Sequence, residues 1–103
     1  MLILKPSKIH GVGVFTTEAI RKGIELPLFD YGDWQDIERP VGYQRRYCTF
    51  EKGVWYAPEN WNRMSIGWYL NDAGTGANVD AKKWFSLRYI KSGEELTINY
   101  LNL

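Results

Sequence analysis

The sequence has little cysteine, since Cys48 is the only one among 103 residues. One thiol forms neither an internal disulfide nor a cysteine-built zinc site, so both are excluded. His10, the only histidine, lies far from Cys48 in the sequence and no local signature joins them, which argues against a cysteine nucleophile. We therefore interpret Cys48 as a small core residue.

An excess of charge and long apolar runs are also absent. Lysine and arginine number 13 against 12 acids, a formal net charge of +1, which argues against direct nucleic-acid binding. No apolar run approaches the length of a membrane span, and the segment 1–6 is too short for the hydrophobic region of a signal peptide. We therefore expect a cytoplasmic protein without a membrane partner.

Long helical segments are missing as well. Glycine and proline interrupt the chain at short intervals, and only 17–20 and 33–39 favour a helical turn. The pattern predicts a mostly β fold, and the length predicts a single domain, 1–103. The predicted strands are 2–4, 13–16, 25–29, 47–50, 54–56, 84–88 and 96–100, with a hairpin turn at Gly53.

Aromatic residues, in contrast, are abundant. They make up 16% of the chain, with five Trp and seven Tyr. A chain of this size buries about two-thirds of the surface that it exposes when unfolded, so its stability depends on the packing of a few large side chains. We expect most of the Trp residues to lie in the core.

A pair of glycines marks the first of three segments that are unusual for pure packing. Gly11 and Gly13 lie two apart, just before a predicted strand, where glycine lets backbone approach a ligand closely or turn sharply. A hairpin turn between 2–4 and 12–15 explains the pair as well. A dinucleotide-binding loop does not, because no third glycine and no helix follow.

The other two segments carry amides and acids. Asn71 and Asn78 bracket a loop of small residues, which suits a polar ligand such as an adenine edge but is equally typical of a plain turn. In the third segment Glu94 and Glu95 precede an alternating strand. Adjacent side chains of an extended segment point to opposite faces, so we expect one solvated and one salt-bridged acid rather than an acid–base pair.

Taken in order, the three segments resemble the SET-domain family of protein-lysine methyltransferases. Residues 7–23 are similar to the family's opening motif, which ends in Ile-x-x-Gly. Residues 85–90, FSLRYI, followed by residues 93–100, GEELTINY, match its closing motif closely. Between them, 69–73 occupy the place of the family's Asn-His-Ser element and Asn78 that of the Asn that ends it. The resemblance spans about residues 5–100.

The resemblance implies a fold and a cofactor. The fold would be the mostly β SET-domain (β-clip) fold, with short curved sheets, little helix and a C-terminal pseudoknot. The cofactor would be S-adenosylmethionine. Gly11, Val12 and Gly13 would line its methionine part, and Asn71 and Asp72 would contact its adenine and amino-acid portions. No metal is implied.

The implied reaction is methyl transfer to the ε-amine of a lysine in a protein substrate. Tyr100 would lie at the reaction centre, and Tyr31 and Tyr69 would contribute to the lysine channel. A free lysine has a pKa of about 10.4, so an apolar channel must favour its neutral amine. A phenol can then align the amine without adding an anion. The implied partners are the protein substrate and a second copy of the chain.

Departures from the family pattern leave other interpretations open. Asp72 and Ala73 stand where the family has His-Ser, and Ala77 stands where proline is usual. The alternative is therefore a catalytically inactive SET-like protein-binding module that has lost cofactor binding. Residues 34–61 match only by length and hydrophobic character, so an unrelated small β-barrel interaction protein is a third interpretation.

Overall fold

The computed structural model of the chain describes residues 1–30, 32–40 and 47–103. Short strands predominate there, and no helix of the described residues reaches seven residues, so the predicted mostly β class is confirmed. The strands are β1 (Leu2–Pro6), β2 (Val12–Thr16), β3 (Gln35–Ile37), β4 (Thr49–Glu51), β5 (Val54–Ala57), β6 (Asn71–Asp72) and β7 (Glu95–Ile98). Single turns of 3-10 helix span Ile66–Tyr69, Gly74–Gly76 and Tyr100–Asn102.

The larger sheet has four strands in the order β1-β2-β7-β6. β1 and β2 form the predicted antiparallel hairpin, with Leu4 opposite Val14. β7 runs antiparallel to β2, with Leu96 beside Val14, and parallel to β6, with Thr97 beside Asn71. The last strand of the chain therefore lies between its second strand and the segment that begins at Asn71.

The smaller sheet has three strands in the order β3-β5-β4. Lys52 and Gly53 connect β4 to β5 with φ angles of 50° and 82°, as a two-residue type I′ hairpin turn requires. The predicted hairpin at Gly53 is confirmed. The predicted helical turn at 33–39 is wrong, because Asp36 pairs with Tyr56 of β5 and this long-range pairing outweighs local preference.

Two segments predicted as strands, 25–29 and 84–88, form only isolated bridges. Glu25 bridges Phe85 and Ser86 bridges Val79, and outside these segments Ile20 bridges Ile90, all in antiparallel fashion. The predicted helical turn at 17–20 is wrong as well, since Ile20 exchanges backbone hydrogen bonds of 2.8 Å with Ile90 in both directions. These bridges hold the segments 20–25 and 85–90 side by side without forming a regular sheet.

The buried core is aliphatic rather than aromatic. It consists of Val14, Leu26, Leu28, Leu70, Val79, Ala81, Ile90, Leu96 and Ile98. None of the five Trp is fully buried and Cys48 is half-buried, so both core predictions are wrong. A Trp is too large for a chain of this size to enclose completely. Among the described residues, no helix has the length and apolar character that crossing a bilayer requires.

Candidate functional site

A cleft of about 930 Å³ opens between the smaller sheet and the segments 67–70 and 98–103. Half of the 18 described residues that line it are aromatic: Phe29, Trp34, Tyr47, Phe50, Trp55, Tyr56, Trp68, Trp84 and Tyr100. Among the same described residues, Asp30 and Glu51 are charged. Four of the five Trp residues, most of which were expected in the core, therefore line a largely apolar cleft whose described charged residues are acidic.

The rings of this wall pack against one another and leave surface open to a ligand. Trp34 meets Tyr56 edge-on, with ring centroids 5.7 Å apart, and Phe50 stacks on Trp55 at 4.9 Å. Trp34 and Phe50 are nevertheless 56% and 57% exposed. Aromatic surface gathered around a cavity on a small protein is typical of a binding site rather than of packing.

Tyr100 lines the cleft from the short helix that follows β7. Its hydroxyl donates a hydrogen bond of 2.6 Å to the backbone carbonyl of Leu70. Its backbone N–H donates a bond of 2.8 Å to Oδ1 of Asp72. The side chain is 48% exposed, so the ring is held at both ends while one face stays accessible from the cleft.

The surroundings of Tyr100 keep its phenol neutral. Burial of the hydroxyl raises its pKa, and the negative charges of Asp72 and Glu95 raise that pKa further. A phenol whose pKa lies above its usual value of about 10 is protonated throughout the physiological range. Within the described part of the chain, neither carboxylate forms a salt bridge. The site therefore presents a neutral hydroxyl beside two carboxylates that form no ion pair with a described side chain.

Behind Tyr100, a set of buried polar groups ties the two ends of the chain together. Asn71 is 6% exposed, and its Nδ2 donates to the carbonyls of His10 and Val12 at 3.1 Å each and to Oε2 of Glu95 at 2.9 Å. Ser7 Oγ donates to Oε1 of the same glutamate at 2.8 Å. We refer to Ser7, Asn71 and Glu95 as the polar cluster.

The two glycines of the first segment have different reasons to be glycine. A Cβ on Gly13 would lie 2.3 Å from Oε2 of Glu95 and 3.1 Å from Nδ2 of Asn71, so the polar cluster requires its absence. Gly11 has a φ of +46°, and nothing lies within 4 Å of the position of its Cβ. Gly11 is exposed and its carbonyl accepts a bond of 2.8 Å from the N–H of Ser7, whereas Gly13 is buried and pairs with Lys5 in the hairpin.

The structure brings most of the predicted site residues together. Val12, between the two glycines, accepts a bond from Asn71, and Asp72 holds the backbone of Tyr100. Gly11, Val12, Gly13, Asn71 and Asp72 do not line the aromatic cleft; Tyr100 does. They lie behind it, so Tyr100 stands at the junction of the cleft and the predicted cofactor segment.

Of the two predicted channel residues, Tyr31 and Tyr69, the structure describes Tyr69. Tyr69 packs its ring against that of Tyr47, with centroids 5.5 Å apart, and its hydroxyl donates to Sδ of Met64 at 3.7 Å. It therefore supports the wall of the cleft through Tyr47 rather than lining it. Tyr31 lies outside the described residues and stays a prediction.

Glu94 and Glu95 contact different partners, as the alternation of an extended segment predicts, but the partner of Glu95 was missed. Glu94 forms the expected salt bridge, 2.5 Å from Nη2 of Arg88. Glu95 is not solvated but half-buried in the polar cluster, so that part of the expectation is wrong. No local feature of the sequence marks Ser7 as its partner, because 88 positions separate them.

A second buried carboxylate was also missed, on the far side of the cleft. Asp33 accepts bonds from the backbone N–H groups of Glu59 at 3.1 Å and Ser65 at 2.6 Å. Burial acts to raise its pKa, but the hydrogen bonds from Ser65 and Glu59 outweigh it and lower the pKa overall. Asp33 therefore fixes the loop 59–65 and has a structural role.

No model of a protein family matches the chain, and no curated protein matches it. Among the described residues, no group of three His, Cys, Asp or Glu side chains is placed to hold a metal ion.

Proposed function

We propose that the chain is a minimal SET-domain protein-lysine methyltransferase, which transfers a methyl group from S-adenosylmethionine to the ε-amine of a lysine in a protein substrate. One observation carries the proposal: Tyr100 lines an aromatic cleft while its neutral hydroxyl lies near the carboxylates of Asp72 and Glu95. Strand order also supports it, because β7 lies between β2 and β6, the insertion that a pseudoknotted SET fold needs.

The residues behind Tyr100 fit a cationic cofactor. S-adenosylmethionine supplies a methyl group carried on a positively charged sulfonium. The carboxylates of Asp72 and Glu95 provide negative charge at the phenol. Gly11 and Val12 are exposed residues, whose carbonyls accept hydrogen bonds from Ser7 and Asn71. We assign the binding of the cofactor to Gly11, Val12 and Asp72, with Asn71 fixing the loop from beneath. Gly13 makes room for the polar cluster that supports this loop.

The cleft side suits the lysine. An amine that leaves water for a site walled by Tyr47, Trp68 and Trp84 loses hydration, which favours its neutral, nucleophilic form. Because the hydroxyl of Tyr100 donates to the carbonyl of Leu70, its oxygen is left to accept a hydrogen bond from the amine. Alignment of this kind is the main contribution that a protein makes to an in-line methyl transfer.

Calorimetric titration with S-adenosylmethionine and S-adenosylhomocysteine tests the proposal directly. Tyr100→Phe should lower methyl transfer to a lysine-rich protein about 100-fold, because the amine loses its alignment, while leaving cofactor binding and folding intact. Tyr89→Phe is the matched control, since this exposed phenol lies outside the cleft. If labelled cofactor neither binds nor transfers methyl to any lysine-rich protein, the proposal is abandoned.

A second function on the same scaffold is favoured by the closure of the polar cluster. Asn71 occupies the carbonyls of His10 and Val12, and Glu95 fills the space beside Gly13. On this alternative the chain is a catalytically inactive SET-like module that binds protein through the aromatic cleft. Cofactor binding gained by Asp72→His together with Ala73→Ser would support it, whereas binding by the unaltered chain contradicts it.

Two further expectations stay predictions. Assembly into a homodimer is to be measured by analytical ultracentrifugation, and location in the cytoplasm by cell fractionation. Neither is needed for the arrangement of Tyr100, which depends only on contacts within one chain.

A further inference from the structure

The cleft is larger than one lysine side chain needs. Its volume of about 930 Å³ is at the upper end of what drug-sized ligands occupy, and a single unbranched side chain fills only part of that. Trp34 and Phe50 are the most exposed of the rings in the wall. Together with Asp30 and Glu51, they form what we call the outer wall of the cleft.

The charge of the outer wall has one sign. Asp30 is exposed and Glu51 is half-buried, and both line the cleft, whereas no described Lys or Arg does. Thr49 Oγ1 lies 3.4 Å from Oε2 of Glu51, within reach of a hydrogen bond that orients the carboxylate. Two carboxylates that face a shared cavity which no described Lys or Arg lines attract a positively charged ligand group.

The exposed rings favour the same kind of ligand. A cation within about 6 Å of an aromatic ring centroid is attracted by the ring face, most strongly by that of Trp. Trp34 is held edge-on against Tyr56, which leaves the remaining ring surface available. Carboxylates and open aromatic rings in one wall therefore select a group that is both cationic and partly apolar, as the side chains of lysine and arginine are.

We propose that the outer wall binds a second cationic side chain of the substrate, next to the lysine that reaches Tyr100. The substrate segment is therefore basic, with lysine or arginine adjacent to the methylated position. This inference rests on the proposed function for the role of the target lysine, but the charge and exposure of the outer wall do not depend on it. The outer wall attracts the cation from water, and the inner rings desolvate the target amine.

Binding of two synthetic peptides to the intact chain, without S-adenosylmethionine, tests the inference. Tetralysine should bind about tenfold more tightly than the same peptide with every side chain acetylated, because only the first offers cations to the carboxylates and rings. The preference should shrink between about 0.05 M and about 0.5 M salt. Equal binding of the two peptides, or tighter binding of the acetylated one, would overturn the inference, and neither result requires a variant that folds.

Matched variants locate the site. Glu51→Gln and Asp30→Asn should each weaken tetralysine binding about threefold, and the pair about tenfold. Trp34→Leu should weaken it about threefold. Glu38→Gln removes an exposed carboxylate that does not line the cleft and should change nothing. A loss with Glu38→Gln as large as with Glu51→Gln would contradict the assignment.

The two proposals fail in different ways. If tetralysine binds as described but S-adenosylmethionine does not, the outer wall is a cation site on a protein that is not a methyltransferase. If the cofactor binds and methyl is transferred while the two peptides bind equally, the methyltransferase stands and the outer wall does not select charge. Calorimetry with each ligand alone separates these outcomes.

Discussion

The polar cluster, which does not line the cleft, and the outer wall, which does, are built in opposite ways. In the polar cluster the amide of Asn71 is buried and donates to three acceptors, and the carboxylate of Glu95 accepts from two side chains. In the outer wall Trp34 and Phe50 are more than half exposed, and the carboxylates face solvent-accessible space. One side is closed by its own contacts, and the other is left for a ligand.

This difference separates the residues that hold the geometry from those that select a partner. Buried hydrogen bonds to a charged group are costly to break, because each unpaired partner keeps its desolvation cost. Exposed rings lose little when they are changed, since they are already half in water. Substitutions in the polar cluster should therefore lower stability, and those in the outer wall should lower binding.

The largest effect is expected from Gly13→Ala. A Cβ there would lie 2.3 Å from Oε2 of Glu95, and the carboxylate can move only by giving up bonds from Ser7 and Asn71. Overpacking and lost charge-assisted hydrogen bonds together should lower the free energy of unfolding by about 3 kcal/mol. Urea denaturation followed by Trp fluorescence measures the change.

Gly11→Ala is the control for Gly13→Ala, because it places a Cβ at a positive φ but in open space. It should cost about 1 kcal/mol, from backbone strain alone. In a Glu95→Ala background, Gly13→Ala should lose most of its effect. If the two glycine substitutions cost the same, or if Glu95→Ala rescues nothing, the clash with the polar cluster is not what makes Gly13 necessary.

Asn78→Ala should come next. Asn78 is 1% exposed; its Nδ2 donates to the carbonyl of Glu95 and its Oδ1 accepts from the N–H of Thr97, both at 2.8 Å. Truncation leaves these buried backbone groups unpaired, so unfolding should become easier by about 2 kcal/mol. Asn62→Ala, at an exposed position, should be close to neutral. If Asn78→Ala and Asn62→Ala lower the stability equally, the buried hydrogen bonds of Asn78 are not the cause of its effect.

Short-range patterns sufficed for part of this fold. The hairpins at 2–16 and 49–57 follow from strand-length apolar segments and from turns that Gly11 and Gly53 make, all of which are local. The separation of Glu94 from Glu95 follows from the alternation of an extended segment. The approach of Asn71 to Gly11–Gly13 was expected from the family resemblance, and the hydrogen bonds of Asn71 agree with it.

What depended on distant partners could not be predicted. No local feature near Ser7 or Glu95 predicts a bond across 88 positions, and 35–37 form a strand because they pair with the edge of β5. The aromatic cleft was missed because the abundance of Trp predicts that these side chains are largely buried. It does not predict which face of each ring remains exposed to solvent. That distinction depends on packing between segments, which one sequence does not reveal.

A smaller effect concerns acid stability and Glu94. The guanidinium of Arg88 is the main cause that lowers the pKa of this carboxyl to about 2. Since the unfolded carboxyl titrates near 4.5, the unfolded chain binds a proton between these values while the folded chain does not, so stability falls as the pH falls through that window. The pair is partly exposed, so its contribution above pH 4.5 should be only about 1 kcal/mol.

Unfolding measured from pH 6 to pH 2 tests this pair. Glu94→Gln and Arg88→Met should each flatten the profile in that window, and the double variant should match the single ones. Profiles that remain unchanged would show that the pair does not contribute. If the Glu94 and Arg88 substitutions also weakened the hydrogen bonds of the polar cluster, Glu94 and Glu95 would not act independently of each other.

The smallest effect on stability, and the sharpest contrast with the polar cluster, is expected in the outer wall. Trp34→Leu and Phe50→Leu change rings that are more than half exposed, so each should alter the free energy of unfolding by less than about 0.5 kcal/mol. Trp84→Leu is the contrasting control, because its half-buried ring packs 4.7 Å from that of Phe29 against the core and should cost about 2 kcal/mol. Urea denaturation and the tetralysine titration are to be made on the same samples. An exposed ring has little packing to lose, so we expect Trp34 to contribute free energy mainly when a ligand is bound. If the Trp34→Leu chain unfolds far more easily and still binds tetralysine normally, the outer wall stabilises the fold and does not bind the ligand.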